Sequence, residues 1–258
     1  MNKVKFRSEA EMCQQFIEAV PDTWTVYPES CGFDILLSRK DDGFQIGIEA
    51  KLVLNAKVIL QAAESVDTWS ILHPGPDCRA VLVPNYVGYD LTSVCRRLGI
   101  EVIRLSPKGC MSYQRNHPFR PELPGKKYSY LEHAKGQEWF EFCPNRKIPL
   151  PEFISDAGAG NPSPLTLTHW KIGAIKLAIT LEKRGFLTRK DFKFFDVSMS
   201  RWTQGGMTAW LRAKEYGVYV GTDRIPDFRQ QHPVNYAEIE SLYEKWKNPE
   251  HEISQVVA

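Results

Sequence analysis

Residues 33–52 hold two apolar runs of β-type residues, Phe33–Ser38 and Phe44–Leu52, joined by the polar turn Arg39-Lys40-Asp41-Asp42-Gly43. An Asp-Gly turn between such runs specifies an antiparallel hairpin. Three charged residues stand inside it: Asp34 in Gly-Phe-Asp-Ile-Leu-Leu, and Glu49 and Lys51 in Ile-Gly-Ile-Glu-Ala-Lys-Leu. Their neighbours Ile35, Leu36, Ile46, Ile48 and Leu52 call for burial. Charge in an apolar strand costs several kcal/mol unless it is paired or metal-bound, so this hairpin carries either an ion pair or a site. Side chains alternate along a strand, which gives Glu49 and Lys51 one face, and a tight hairpin brings Asp34 beside them.

The chemistry that uses this set is phosphodiester hydrolysis. The carboxylates of Asp34 and Glu49 and the main-chain carbonyl of Ala50 are the hard oxygen ligands that magnesium takes. Lys51 is then placed to orient an attacking water or to stabilise the charge of the transition state. With two ions, Asp34 is the bridging ligand. The competing reading is a plain ion pair of Lys51 with Glu49 or Asp34 on a solvated strand face.

The flanking segments supply more elements. Residues 8–20 place Met12, Cys13, Phe16 and Val20 at helical spacing, and Ser8 followed by Glu11 fits a capping box. Trp24–Tyr27 is a strand; Ala56–Trp69 is a helix with Ile59, Leu60, Ala63 and Val66 facing inward; Ala80–Val83, stopped by Pro84, is a buried strand. Asp90–Leu98 is a helix closed by Gly99, and Ile100–Leu105 is a strand. The order α-β-β-β-α-β-α-β describes an α/β domain over residues 1–105.

This order, with Asp34 and the Glu49-Ala50-Lys51 tripeptide, resembles the PD-(D/E)XK (restriction-endonuclease-like) nuclease superfamily across residues 6–105. Phe33 stands where the eponymous proline would. The resemblance implies a magnesium-dependent nuclease, with manganese as a substitute ion and DNA as the substrate. It also implies a metal-site glutamate on the first helix. Glu9 shares the face of Met12, Cys13 and Phe16, whereas Glu11 faces solvent, so the role falls to Glu9. A glutamine on the helix after the tripeptide is implied near the site, and Gln61 fits.

Residues 106–164 bunch prolines and aromatics and read as an extension and linker, with a flexible joint at Gly158-Ala159-Gly160-Asn161-Pro162. Residues 165–229 return to helical periodicity through Ile172, Ile175, Leu177, Ile179 and Leu181, ending at Lys183-Arg184-Gly185. Thr188 caps a second helix holding Phe192 and Phe195. Ser198–Leu211 is a third helix, interrupted at Gly205-Gly206, and Tyr216–Val220 is a strand followed by the Gly221–Arg224 turn. Three helices and a strand or hairpin outline a winged helix. In that reading Ser198, Ser200, Arg201 and Gln204 open a helix that reads the major groove, Arg189, Lys190 and Lys193 meet phosphates, and Arg224 sits on the wing. The alternative is a basic, structural helical domain that contacts protein. Trp170, Trp202 and Trp210 read as core residues. Residues 230–258 read as an acidic helical tail.

Charge supports this division. The 258-residue chain has a formal net charge of only +2, yet residues 166–229 carry 12 basic and 6 acidic side chains, while residues 1–105 carry 11 and 14. The total hides a basic block. No apolar run approaches a membrane span, and the expectation is a cytoplasmic chain whose six cysteines are reduced thiols. His133 with Cys143, or His117 with Cys110, are too few for a structural zinc site. The run Lys126-Lys127-Tyr128-Ser129-Tyr130 reads as packed extension before DNA contact. Neither a phosphate loop nor a nucleophile elbow is present.

The expectation is a metal-dependent DNA endonuclease delivered by its C-terminal domain. Competing readings are a nuclease-fold DNA-binding regulator without activity, and a junction-resolving or transposon-end-cleaving nuclease, the former acting as a homodimer.

Overall fold

The computed structural model describes residues 4–64, 73–110, 118–125, 139–156, 158–159 and 167–249. Lys126–Tyr130, His117, His133, Val66 and the linker residues Gly160–Pro162 lie outside the described residues. The chain divides into two compact units, Met1–Ser163 and Pro164–Ala258. Among the described residues no helix is long and apolar enough to cross a membrane.

The first unit is mixed α/β. Its elements are α1 (Glu9–Ile17), β1 (Trp24–Ser30), β2 (Phe33–Arg39), β3 (Gln45–Ala50), α2 (Ala56–Ala63), β4 (Cys78–Pro84), α3 (Thr92–Arg97), β5 (Ile100–Leu105) and β6 (Phe119–Arg120). The six strands lie in the sheet in chain order. The expected hairpin is β2–β3, antiparallel with Ile35 opposite Ile48 and Leu37 opposite Ile46. β3, β4 and β5 run parallel, joined by α2 and α3, and β6 closes the far edge antiparallel to β5. Parallel strands need covering on both faces, which explains why all seven residues of β4 are buried.

Two apolar layers provide that cover. Met12, Cys13 and Phe16 of α1 pack with Ile35, Leu37, Ile46, Ile48, Ala80 and Leu82 on one face of the sheet. Val58, Ile59 and Ala62 of α2 pack with Val81, Val83, Cys95 and Val102 on the other. The inward set of α2 differs from the expected one. Leu60 is 70% exposed and Ala63 is half-buried, because the stripe that meets β4 is centred on Val58, Ile59 and Ala62. The extension is part of this unit: Trp139 and Ala159 enter the α1-side core, and the Trp139 indole donates to the Glu122 carbonyl at 3.0 Å.

Half of the capping box forms at α1. Ser8 Oγ accepts from the Glu11 amide at 3.1 Å, but the Glu11 carboxylate turns to the Arg7 amide and guanidinium.

The second unit holds α4 (His169–Arg184), β7 (Leu187–Thr188), α5 (Arg189–Phe194), α6 (Ser200–Thr203), β8 (Leu211–Glu215), β9 (Val218–Gly221), α7 (Phe228–Gln231), α8 (Pro233–Ser241) and α9 (Tyr243–Trp246). α4 ends where Gly185 takes φ +84°, the left-handed cap that a glycine provides. The strands form a three-stranded antiparallel sheet in the order β7-β9-β8.

Three expectations are corrected here. The third helix does not run from Ser198 to Leu211: α6 has four residues, because Gly205 and Gly206 take φ +111° and +57° and end it, and Leu211 begins a strand that pairs with β9. The hairpin of this unit is β8–β9, turning at Tyr216-Gly217, so Arg224 lies after the hairpin rather than on it. Residues 230–249 are not a tail. Tyr236 and Ile239 of α8 are buried, and the Trp246 ring packs edge-on to Phe195 at 5.6 Å. Trp202 is fully buried among Phe192, Trp210 and Phe228, as expected of a core residue.

Candidate active site

The end of the sheet where β3 stops gathers the hairpin charges. β2 places Asp34 one residue before Ile35, so the register that sets Ile35 opposite Ile48 carries Asp34 to Glu49. The Asp34 carboxylate accepts the Ala50 amide at 2.7 Å, which ties the two strands at that level. Glu49 is 5% exposed and lies opposite Val81, whose side chain belongs to the α2-side layer. Lys51 follows the last residue of β3, and its amide continues the ladder to the Leu82 carbonyl at 3.0 Å. Its ammonium reaches the Glu9 carboxylate on α1 at 2.7 Å, with both side chains about one-third exposed. Glu49 therefore stands on the α2 side while Lys51 bonds an α1 residue, and the site spans the sheet's end. Strict alternation governs Glu49 within the strand but not Lys51 beyond it.

α1 is held in place to present Glu9. Its Gln15 side chain, buried, donates to the Ser106 carbonyl at 2.7 Å and accepts the Lys108 amide at 3.0 Å, beyond the end of β5. These bonds and the Met12, Cys13 and Phe16 contacts set the helix against the sheet.

The electrostatics are frustrated. Burial pushes the Glu49 carboxyl up to about 8, and the charge of Asp34 adds to the shift while Lys51 opposes it. Burial also raises Asp34, offset in part by the Ala50 amide and by Lys51. Burial alone would lower Lys51, but the bond to Glu9 and the surrounding carboxylates outweigh it and raise it. Two carboxyls at the end of one strand pair are thus held above their ordinary range, chiefly by burial.

Among the described residues, no three His, Cys, Asp or Glu side chains converge as a metal-binding group. The donors that do lie together, Asp34, Glu49 and the Ala50 carbonyl, suit an ion that keeps several waters, as magnesium does. The Glu9 carboxylate bonds the Lys51 ammonium, and among the described residues it does not join Asp34 and Glu49 in a three-carboxylate group. Gln61 lies on α2 with its side-chain oxygen buried and without a hydrogen-bond partner, an orphaned acceptor of the kind a bound ion or its water satisfies.

Two residues escaped the sequence reading. Arg79 of β4 is 6% exposed, and its guanidinium donates to the carbonyls of Ala62 at 3.0 Å and Glu64 at 2.6 Å, closing the C-terminal end of α2. It stands opposite Gly47 and feels the charge of Glu49. The signal was available: an arginine inside Cys-Arg-Ala-Val-Leu-Val is the same anomaly as a glutamate inside Ile-Gly-Ile-Glu. Gly47 is the second. A Cβ there would meet the Phe33 ring at 2.5 Å, so the glycine makes room for that ring beside Asp34.

In the second unit the expected nucleic-acid residues are exposed but spread over several elements. Arg189, Lys190 and Lys193 lie on α5, and Ser198 and Ser200 share a hydroxyl hydrogen bond at 2.7 Å. Arg201 lies over the Trp170 ring at 5.1 Å, and Gln204 follows the last residue of α6. Arg224 faces the Asp223 carboxylate at 3.7 Å.

Comparison of the chain with protein-family models, with curated proteins and with solved structures finds no match. The functional argument therefore rests on geometry.

Proposed function

We propose that this chain is a magnesium-dependent DNA endonuclease with a restriction-endonuclease-like first unit and a winged-helix-like second unit that binds DNA. The observation that carries the reading is the meeting of Asp34, Glu49, Lys51 and Glu9 at one end of a mixed sheet, with Glu49 buried and its carboxyl pushed up to about 8. The element order α-β-β-β-α-β in the first unit supports it, and α4, α5 and α6 with the three-stranded sheet β7-β9-β8 in the second support the winged-helix reading.

In this reading Asp34, Glu49 and the Ala50 carbonyl hold the ion. A bound magnesium ion, or manganese in its place, supplies neutralising charge at the phosphate and acidifies a water. Lys51 directs its ammonium at the attacking water or at a phosphate oxygen, and Glu9, through its 2.7 Å bond, holds that ammonium in position and protonated. Gln61, whose buried side-chain oxygen has no hydrogen-bond partner, would bond a water of that ion.

Plasmid nicking with magnesium or with EDTA, for the wild type and Lys51→Ala, tests the proposal. Nicked and linear products are expected only for the wild type with magnesium. Equal products in all lanes, or none in any, would sink it.

A further inference from the structure

In the second unit, the helix expected to read DNA is one turn long, with its arginine over the Trp170 ring, whereas the adjacent hairpin is exposed and basic. α6 has four residues, about one turn, and ends at Gln204 in an extended conformation. Its Arg201 stacks on Trp170. β8, by contrast, is an edge strand in which Arg212, Ala213, Lys214 and Glu215 are all exposed after the buried Leu211. Consecutive exposure means that both faces of β8 are wet over this stretch, which no requirement of the core explains.

The tip is odder still. Tyr216 and Gly217 form the two-residue connection, with Glu215 opposite Val218 and Gly217 at φ +78°. Such turns favour Asn, Asp and Gly, yet Tyr216 presents its ring to solvent at 99% exposure. The neighbouring strand joins the basic helix to this tip. Thr188 of β7 pairs with Val218, and the next residue, the exposed Arg189, opens α5. Arg212 and Lys214 of β8, and Arg189 directly after β7, thus flank one small sheet with an aromatic ring at its apex, the combination of cations and stacking surface that nucleic acid takes.

We infer that the β8–β9 hairpin, not helix α6, is the principal DNA-contacting element of this unit, with Tyr216 stacking on or wedging between bases and Arg189, Arg212 and Lys214 holding the flanking phosphates. This rests on the reading of the chain as a DNA-binding nuclease. The partner is double-stranded DNA, approached at a groove narrow enough for a hairpin and opened at one base step by the ring.

The test measures binding of the full chain to a fluorescein-labelled duplex of mixed sequence by anisotropy across a salt series. The variants are Tyr216→Ala, Tyr216→Phe, Arg212→Ala with Lys214→Ala, and Arg201→Ala with Gln204→Ala. Tyr216→Ala should weaken binding roughly 5- to 100-fold, and Tyr216→Phe, which keeps the ring, should stay within about 3-fold of the wild type. The Arg212 and Lys214 pair should reduce the salt slope by about 2, one for each phosphate contact. The α6 pair should change affinity by less than about 3-fold. Loss of binding in the α6 pair with wild-type behaviour in all hairpin variants would overturn the inference and leave the nuclease reading intact. A wild type that binds no duplex at any salt concentration would overturn both.

Discussion

Glu49 in the first unit and Asp191 in the second are both buried carboxylates, and their surroundings could hardly differ more. Asp191 is fully buried, yet its carboxyl is held below the ordinary range. Burial would raise it, but bonds from the Arg184 guanidinium, the Thr188 amide at 2.8 Å and the Thr188 hydroxyl at 3.0 Å prevail. Asp191 closes the capping box of α5 and ties it to the end of α4. Glu49 receives no such bond among the described residues; the charge of Lys51 opposes the burial and the charges of Asp34, Glu29 and Glu64 that raise it, without overcoming them. A buried acid whose partners are complete is architecture. One left short of partners carries the cost of its burial unrelieved, which is the anomaly on which the proposed site rests.

This contrast can be broken by experiment. The largest expected effect is on activity: Glu49→Gln and Lys51→Ala should each lower magnesium-dependent nicking by about 100-fold or more, whereas Asp191→Asn should leave the rate of the folded protein unchanged. The next is on stability. Asp191→Asn leaves Arg184 without its charge partner and should destabilise the second unit by about 3–5 kcal/mol, read from urea unfolding.

Glu49→Gln should do the opposite. The unfolded chain ionises this carboxyl at its ordinary value and the folded chain only near pH 8, so the folded state holds the extra proton between them. Stability therefore falls as pH rises across that window and levels off above it. Asp34, also raised, adds to the same slope. At pH 8.5, without magnesium, Glu49→Gln should gain roughly 2–4 kcal/mol over the wild type, and the gain should vanish below about pH 4.5. A flat difference between the two proteins across pH would show that Glu49 is not frustrated. The smallest effect is Glu9→Gln. With both partners about one-third exposed, losing the ion pair to Lys51 should cost at most about 1 kcal/mol of stability, and the nicking rate should drop about 3- to 10-fold.

Much of the first unit was legible because its signals are local. The Asp-Gly turn specifies the hairpin, and its pairing follows from a two-residue period, so Asp34 and Glu49 could be set together before any coordinates. Glu9 was separable from Glu11 by helical period alone. What failed was non-local. Leu60 has the same local periodicity credentials as Val58, and which of them faces inward depends on where β4 lies. Lys51 steps off the strand, so its partner came from α1 and not from β3. In the second unit the glycine pair was recognised as a break, but the strand after it exists only because β9 is there to pair with it.

The sequence by itself determined the element order of the first unit, the hairpin that carries its charges and the basic character of the second unit. Turn chemistry, residue period and charge are properties of neighbours along the chain. Only the tertiary structure decided that no described residue hydrogen-bonds Glu49, that Arg79 closes α2, and that the third helix is one turn long and is followed by an exposed hairpin. Each of these depends on groups far apart in sequence competing for one partner or one face, and that competition is settled only when the chain is packed.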